Sequence, residues 1–190
     1  MKALILNGSQ RGDVAAQKVK AALEGMLAGA GWEAEAVDLA DEKIAYCTGC
    51  FGCWIKTPGE CVVDDYSREF ARKVVQSDLM VLVTPVTFGG YSSELKKAMD
   101  HLIPDIMPYF VLIDGEMHHA RRYDRYPSLL GVGLLSEADE AAAAIFGRLV
   151  ERNAYNFYSP AYATCTIVRS RTDSLERDLA VTLGKVGVTA

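Results

Sequence analysis

The chain is predicted to be an α/β protein: a doubly wound parallel sheet of five strands with helices on both faces. Two observations carry this. Short apolar runs alternate along the 190 residues with longer helical patterns, as stacked βαβ units do. The run at 78–83, Asp-Leu-Met-Val-Leu-Val, is almost wholly apolar, as a strand covered on both faces must be. Five strands connected in this way give the order 2-1-3-4-5, with a ligand crevice between strands 1 and 3, where the winding reverses.

Residues 2–6 make the first strand and 14–27 an alanine-rich helix. Residues 32–39 alternate apolar with acidic side chains, as an edge strand would. A helix over 65–76 follows, with Asp64 and Asp65 placed to cap it. After the strand at 78–83, a loop over 84–93 leads into a helix at 94–102, which Pro104 ends. Residues 109–113 and 116–119 flank Asp114-Gly115 and read as a hairpin with a tight turn, inside an excursion from the sheet over about 108–127. The remaining elements are a strand at 129–135, a helix at 137–153, a strand at 162–168 and a helix at 174–186. With no internal repeat or linker, 1–190 is expected to form one domain, large enough to bury about 70% of its unfolded surface.

Half of the residues are apolar and a quarter charged, the composition of a soluble globular protein. A net charge of −5 and a pI near 5.2 argue against a surface for nucleic acid or anionic membrane, which would need a basic patch. No apolar run approaches the roughly 18 residues of a membrane helix. The apolar stretch at the start is too short for a secretory signal, and no small-residue cleavage site follows, so a cytoplasmic location is expected. In that setting clustered cysteines mean metal or redox chemistry more often than disulfides.

Four cysteines fall within fifteen residues: Cys47, Cys50, Cys53 and Cys61, spaced C-x2-C-x2-C-x7-C. Thiolates are soft ligands that suit iron–sulfur clusters and zinc. Zinc sites usually show two separated C-x-x-C pairs, which this chain lacks. The close run is that of ferredoxins, and here Cys61 would complete the same cluster. The other reading is that the thiols are free and the loop packs beside a ligand. Cys165, in the last strand, is expected to act as a small buried hydrophobe.

Two loops face the predicted crevice. Asn7-Gly8-Ser9-Gln10-Arg11-Gly12 leaves strand 1 and enters the first helix, whose free N–H groups and positive dipole end suit a phosphate. Gly8 permits a sharp turn, Ser9 adds a hydroxyl and Arg11 a cationic donor. It is neither a Walker A loop nor a dinucleotide G-x-G-x-x-G fingerprint. Across the crevice lies the run from Thr84 to Ser92. Pro85 stiffens its exit from strand 3, Gly89 and Gly90 admit close backbone approach, and Phe88 and Tyr91 offer aromatic surface to a flat ligand.

These residues together resemble the iron–sulfur flavoprotein branch of the NADPH-dependent FMN reductase-like group, in the flavodoxin-like superfamily. The likeness covers nearly the whole chain: GSQR after strand 1, CTGCFGCW with Cys61 and Asp64-Asp65, TPVTFGGYSSELKKAMD after strand 3, and DGEMHHARRYDRYPS before strand 4. The resemblance implies FMN, with its phosphate at Ser9, Gln10, Arg11 and Gly12. It places the isoalloxazine ring against Pro85, Val86, Thr87, Phe88, Gly89, Gly90 and Tyr91. A [4Fe-4S] cluster on Cys47, Cys50, Cys53 and Cys61 would lie near enough to the flavin for electron exchange. NAD(P)H or another small-molecule or protein donor would supply electrons, and the chain would form a homodimer or homotetramer. No catalytic acid or base is expected, since hydride transfer to flavin need not use one. Where relatives commonly carry hydroxyl and amide donors, this chain has Asp13, Val14 and Ala15, and Thr87 replaces a common tyrosine. Either FMN is then held more weakly, or its phosphate rests on Arg11 and backbone amides. The alternatives are an NAD(P)H:FMN reductase with flavin alone and free cysteines, an electron carrier, or a binding module stapled by zinc. His118 and His119 point to opposite faces of the hairpin and are expected at the surface or in an oligomer contact.

Overall fold

The computed structural model describes residues 1–171 and 173–189. Its centre is a five-stranded sheet, all parallel, in the order β2-β1-β3-β6-β7. These strands are β1 (Lys2–Asn7), β2 (Glu33–Asp38), β3 (Leu79–Pro85), β6 (Ser128–Leu135) and β7 (Tyr162–Val168). A separate antiparallel hairpin, β4 (Ile106–Ile113) and β5 (Glu116–Arg121), interrupts the chain between β3 and β6. Leaving it aside, the order is the 2-1-3-4-5 that the alternation predicts. The fold is therefore flavodoxin-like.

Each face of the sheet buries its own core. On one side α1 (Val14–Gly29) and α6 (Leu175–Lys185) cover Ile5, Val81 and Val132. On the other, α3 (Tyr66–Gln76), α4 (Ser93–Met99) and α5 (Glu140–Asn156) cover Leu4, Leu82 and Leu129. Being buried on both faces, β1, β3 and β6 read as continuous apolar runs, whereas edge strand β2 alternates. No helix among the described residues is long and apolar enough to cross a membrane.

Several boundaries differ from expectation for identifiable reasons. Pro104 does not end a helix over 94–102. After Met99 the chain tightens into a 3₁₀ segment, Asp100–Asp105, that contains Pro104 and runs directly into β4. A short 3₁₀ piece tolerates the missing N–H that a longer helix would not. The helix expected at 137–153 runs instead from Glu140 to Asn156, because Asp139 is the N-cap and accepts from the Ala142 N–H at 2.9 Å. At α3 only Asp65 caps, accepting from Ser67 N–H at 2.9 Å; Asp64 stays exposed beside Arg68. Cys165 packs against the α1/α6 core, and burial pushes its thiol up to about 11.

The hairpin is better seated than a surface excursion. His118 is 7% exposed, with Nδ1 3.0 Å from Asn156 Oδ1, which corrects its expected place at the surface. The His119 ring meets those of Trp54 and Phe110 at a tilt, with centroids 4.9 and 4.6 Å away. Beneath, Arg122 donates from Nε to the Pro104 carbonyl at 2.7 Å. Tyr126 donates its hydroxyl to the Asp105 carbonyl at 2.5 Å.

Asp105 itself is an anomaly. Its side chain is buried beside a cavity of about 150 Å³, and neither carboxyl oxygen has a partner among the described residues. Burial pushes this carboxyl well above the usual carboxylate range, and the charge of Arg122 opposes that only in part. The folded chain thus keeps a proton that the unfolded chain releases near pH 4, so stability falls as pH rises from there towards the folded-state value. An asparagine does not titrate. Asp105→Asn is expected to gain on the native chain by up to about 1.4 kcal/mol per pH unit above pH 4 and nothing further below it. Urea unfolding at pH 3 to 7 measures this; a stability difference independent of pH would refute it.

Candidate functional site

The C-terminal ends of β1 and β3 carry the two predicted loops; two hydrogen bonds join them and a third braces the β3 loop, making one rim. Gly8 N–H donates to the Val83 carbonyl at 2.8 Å, and Ser92 Oγ donates to the Gly8 carbonyl at 2.5 Å. Ser92 N–H in turn donates to Thr84 Oγ1 at 3.0 Å. Ser92 also caps α4, accepting from Leu95 N–H. A Cβ on Gly8 would stand 2.5 Å from Leu95 Cβ, so only glycine lets β1 pass this close to α4.

Past Gly8 the chain turns into α1. Ser9 N–H donates to Asn7 Oδ1, and the Ser9 side chain is 2% exposed with no partner for its hydroxyl among the described residues. A buried hydroxyl left alone costs roughly 1–3 kcal/mol, and Ser67 and Ser159 carry the same cost. Gly12 takes φ +80° to bring the loop into the helix. Ser9, Gln10, Arg11 and Gly12 line an open pocket of about 240 Å³ together with Asp38 and Asp41. Asp38 is tied down by Lys20 at 2.5 Å and Asn7 Nδ2 at 2.7 Å. Burial works to raise it, but Lys20, Asn7 and Gln17 hold its carboxyl below the usual range. The Arg11 guanidinium pairs with exposed Asp41. Asp13 is turned onto the helix as its N-cap, accepting from Ala16 N–H at 3.1 Å.

The β3 loop folds into a two-residue turn. Thr87 and Gly90 exchange both backbone hydrogen bonds, leaving Phe88 and Gly89 at the tip with φ of +51° and +76°. Positive φ suits Gly89 and strains Phe88, whose ring is wholly exposed. Pro85 and Val86 stay pinned to β6 at Leu134. Tyr91 turns inward: its ring meets Phe146 edge-on and its hydroxyl accepts from Asn153 Nδ2 at 2.8 Å. Burial pushes that hydroxyl up to about 12.

All four clustered cysteines line one small apolar pocket, walled by Val62, Val63 and Ile103. Cys47 and Cys50 are exposed, while Cys53 and Cys61 are half-buried. Burial, followed by the nearby Cys61, pushes the Cys53 thiol up to about 11. The short helix α2 (Gly52–Ile55) carries Trp54, whose indole N–H is shared between the Ile103 and Ile106 carbonyls at 3.1 and 3.0 Å. As donors the four thiols fit a thiolate-bound centre. The void between them is small, about 30 Å³, and it opens to solvent at exposed Cys47 and Cys50. A lone zinc ion would hold its sulfurs about 3.8 Å apart, as 2.3 Å bonds in a tetrahedron demand. No three His, Cys, Asp or Glu side chains among the described residues are grouped to hold such an ion.

Sequence reasoning found both loops and the cysteines but missed two partners. Ser92 was only the end of a loop in sequence, although a serine just before a helix is a cap signal. Arg169, which holds Asp13, lies 156 residues from it and carries no local signal.

The profile of the NADPH-dependent FMN reductase family matches residues 1–120. An iron–sulfur flavoprotein of Archaeoglobus fulgidus is 38% identical over 104 residues, which cover 55% of this chain and 46% of that protein. One from Methanocaldococcus jannaschii is 34% identical over 104 residues, covering 55% and 53%. The chain thus spans about half the length of the curated relatives it matches. Among solved structures, the NAD(P)H:quinone oxidoreductase from Methanothermobacter marburgensis has a TM-score of 0.67 at 12% identity, covering 97% of this chain and 98% of that one, a likeness of fold. A profile match over 120 of 190 residues, on the half of the sheet that carries both crevice loops, places the chain in the NADPH-dependent FMN reductase family.

Proposed function

We propose that the chain is an FMN-dependent oxidoreductase that passes electrons between NAD(P)H, or another small-molecule or protein donor, and an acceptor. The observation that carries this is the Ser9 hydroxyl, buried and without a partner among the described residues, on the loop that leads into α1. A phosphate oxygen is the acceptor that satisfies it, with backbone amides of Gln10, Arg11 and Gly12 alongside. FMN, when bound, supplies hydride acceptance and the release of electrons one at a time. The chain's part is to orient it. The hydrogen-bonded rim at Gly8, Thr84 and Ser92 fixes the spacing of the two loops, and Pro85 to Gly90 offer an apolar ledge. The exposed side chains Tyr109, Phe110, Leu112 and Met117 on the hairpin support a homo-oligomer.

Cys47, Cys50, Cys53 and Cys61 are the proposed ligands of an iron–sulfur centre, a reading supported by their common pocket and by the curated relatives' names. The matched profile, that of NADPH-dependent FMN reductases, supports a second reading, a flavin-only reductase with free cysteines. Anaerobic purification separates the two. A cluster gives a broad iron–sulfur absorption beneath the flavin bands, which Cys50→Ala abolishes while sparing flavin. Steady NADPH turnover by iron-free protein, with a spectrum unchanged by Cys50→Ala, selects the second reading.

The free-thiol form has its own signature. Alkylation needs the thiolate. With its thiol pushed up to about 11, half-buried Cys53 is expected to react with iodoacetamide far more slowly at pH 8 than exposed Cys47 and Cys50, and to keep accelerating until pH passes about 11. Mass spectrometry of timed digests follows each site; equal rates for the three would contradict the buried setting of Cys53.

A further inference from the structure

Arg169 follows directly on β7. Its N–H donates to the Leu135 carbonyl at 2.9 Å, which fixes it at the edge where β6 and β7 end, the edge that also carries the Ser9 loop. From there its guanidinium reaches the start of α1, with Nη1 2.7 Å from Asp13 Oδ1. Asp13 lies four residues past Ser9, and its carboxylate takes an N–H that a helix start would otherwise turn to an anion. A phosphate monoester brings nearly two negative charges, and an uncompensated carboxylate on the residue next to Gly12 would oppose its approach. Nearby cations are otherwise engaged: Arg11 with exposed Asp41, and Lys20 with Asp38. The Asp13 side chain is only 12% exposed, so solvent screens it little, and Arg169 is the group that cancels its charge.

We infer that Arg169 is a positioning residue of the phosphate subsite: by holding Asp13 on the helix cap and neutralising it, Arg169 lets the Ser9–Gly12 loop accept the phosphate monoester of a flavin mononucleotide. This rests on the flavin reading above and adds to it the group that makes an acidic cap compatible with a phosphate ligand. The phosphate is the whole difference between FMN and riboflavin, so the ratio of their affinities isolates the subsite.

The purified apoprotein is titrated with each flavin, following quenching of flavin fluorescence. The native chain is expected to prefer FMN. Arg169→Gln should weaken FMN about 10- to 100-fold, as an uncompensated charge beside a dianion would, and leave riboflavin nearly unchanged. Adding Asp13→Asn, which keeps the cap, should restore most of the FMN preference. Arg169→Lys should keep it as well, and serves where the glutamine variant fails to fold. Equal losses for both flavins, or an FMN loss that Asp13→Asn does not recover, would overturn the inference. A native chain that binds neither flavin would overturn the flavin reading and this inference with it, whereas FMN binding indifferent to Arg169 overturns the inference alone.

Discussion

Between the end of β1 and the start of α4 there is room for backbone and nothing more. Gly8 occupies that gap, and a methyl group there would meet Leu95, a fully buried side chain of the core. Overpacking of this kind typically costs about 1–3 kcal/mol, or shifts the helix. Because Gly8 fits, its N–H reaches Val83 and its carbonyl reaches Ser92, so the two crevice loops hold each other. The inward turn of Ser9 follows from the same geometry, since its N–H is taken by Asn7 at the strand end. Loops that would otherwise move independently become parts of one frame, and frames of this kind are what a bound ligand needs.

Much of this frame was legible beforehand. Strands buried on both faces announce themselves as unbroken apolar runs, and the order of elements then dictates which loops share an edge. The cap of α3 was legible only to within two residues, since Asp64 and Asp65 both qualify in sequence and Asp65 alone accepts the Ser67 N–H. The pattern failed where several weak signals compete. Pro104 reads as a helix terminator, yet a 3₁₀ turn absorbs it. The acidic run before α5 offers more than one start, and the choice of Asp139 depends on where Phe146 and Val150 must point to reach the core.

At the site the division is similar. Spacing reveals the cysteines because ligand sets on one loop are local in sequence, whereas the Asp13–Arg169 pair depends on the end of β7 lying near the start of α1. Likewise Phe88 and Tyr91 look equivalent as aromatic residues of one loop. The turn between Thr87 and Gly90 separates them, one ring into solvent and the other against Phe146. No residue-level preference encodes that; the backbone path does.

Trp54 joins what the sequence keeps apart. One indole N–H is divided between two carbonyls, Ile103 within the 3₁₀ segment and Ile106 at the start of β4. The same ring stacks on Phe51 of the sulfur-bearing loop and meets His119 of β5 at a tilt. Loop and hairpin therefore share a single hinge pin. Displacing the thiol-bearing segment would take the indole from both carbonyls, leaving Ile103 with the Ile106 N–H and Ile106 with Arg122 as their remaining donors.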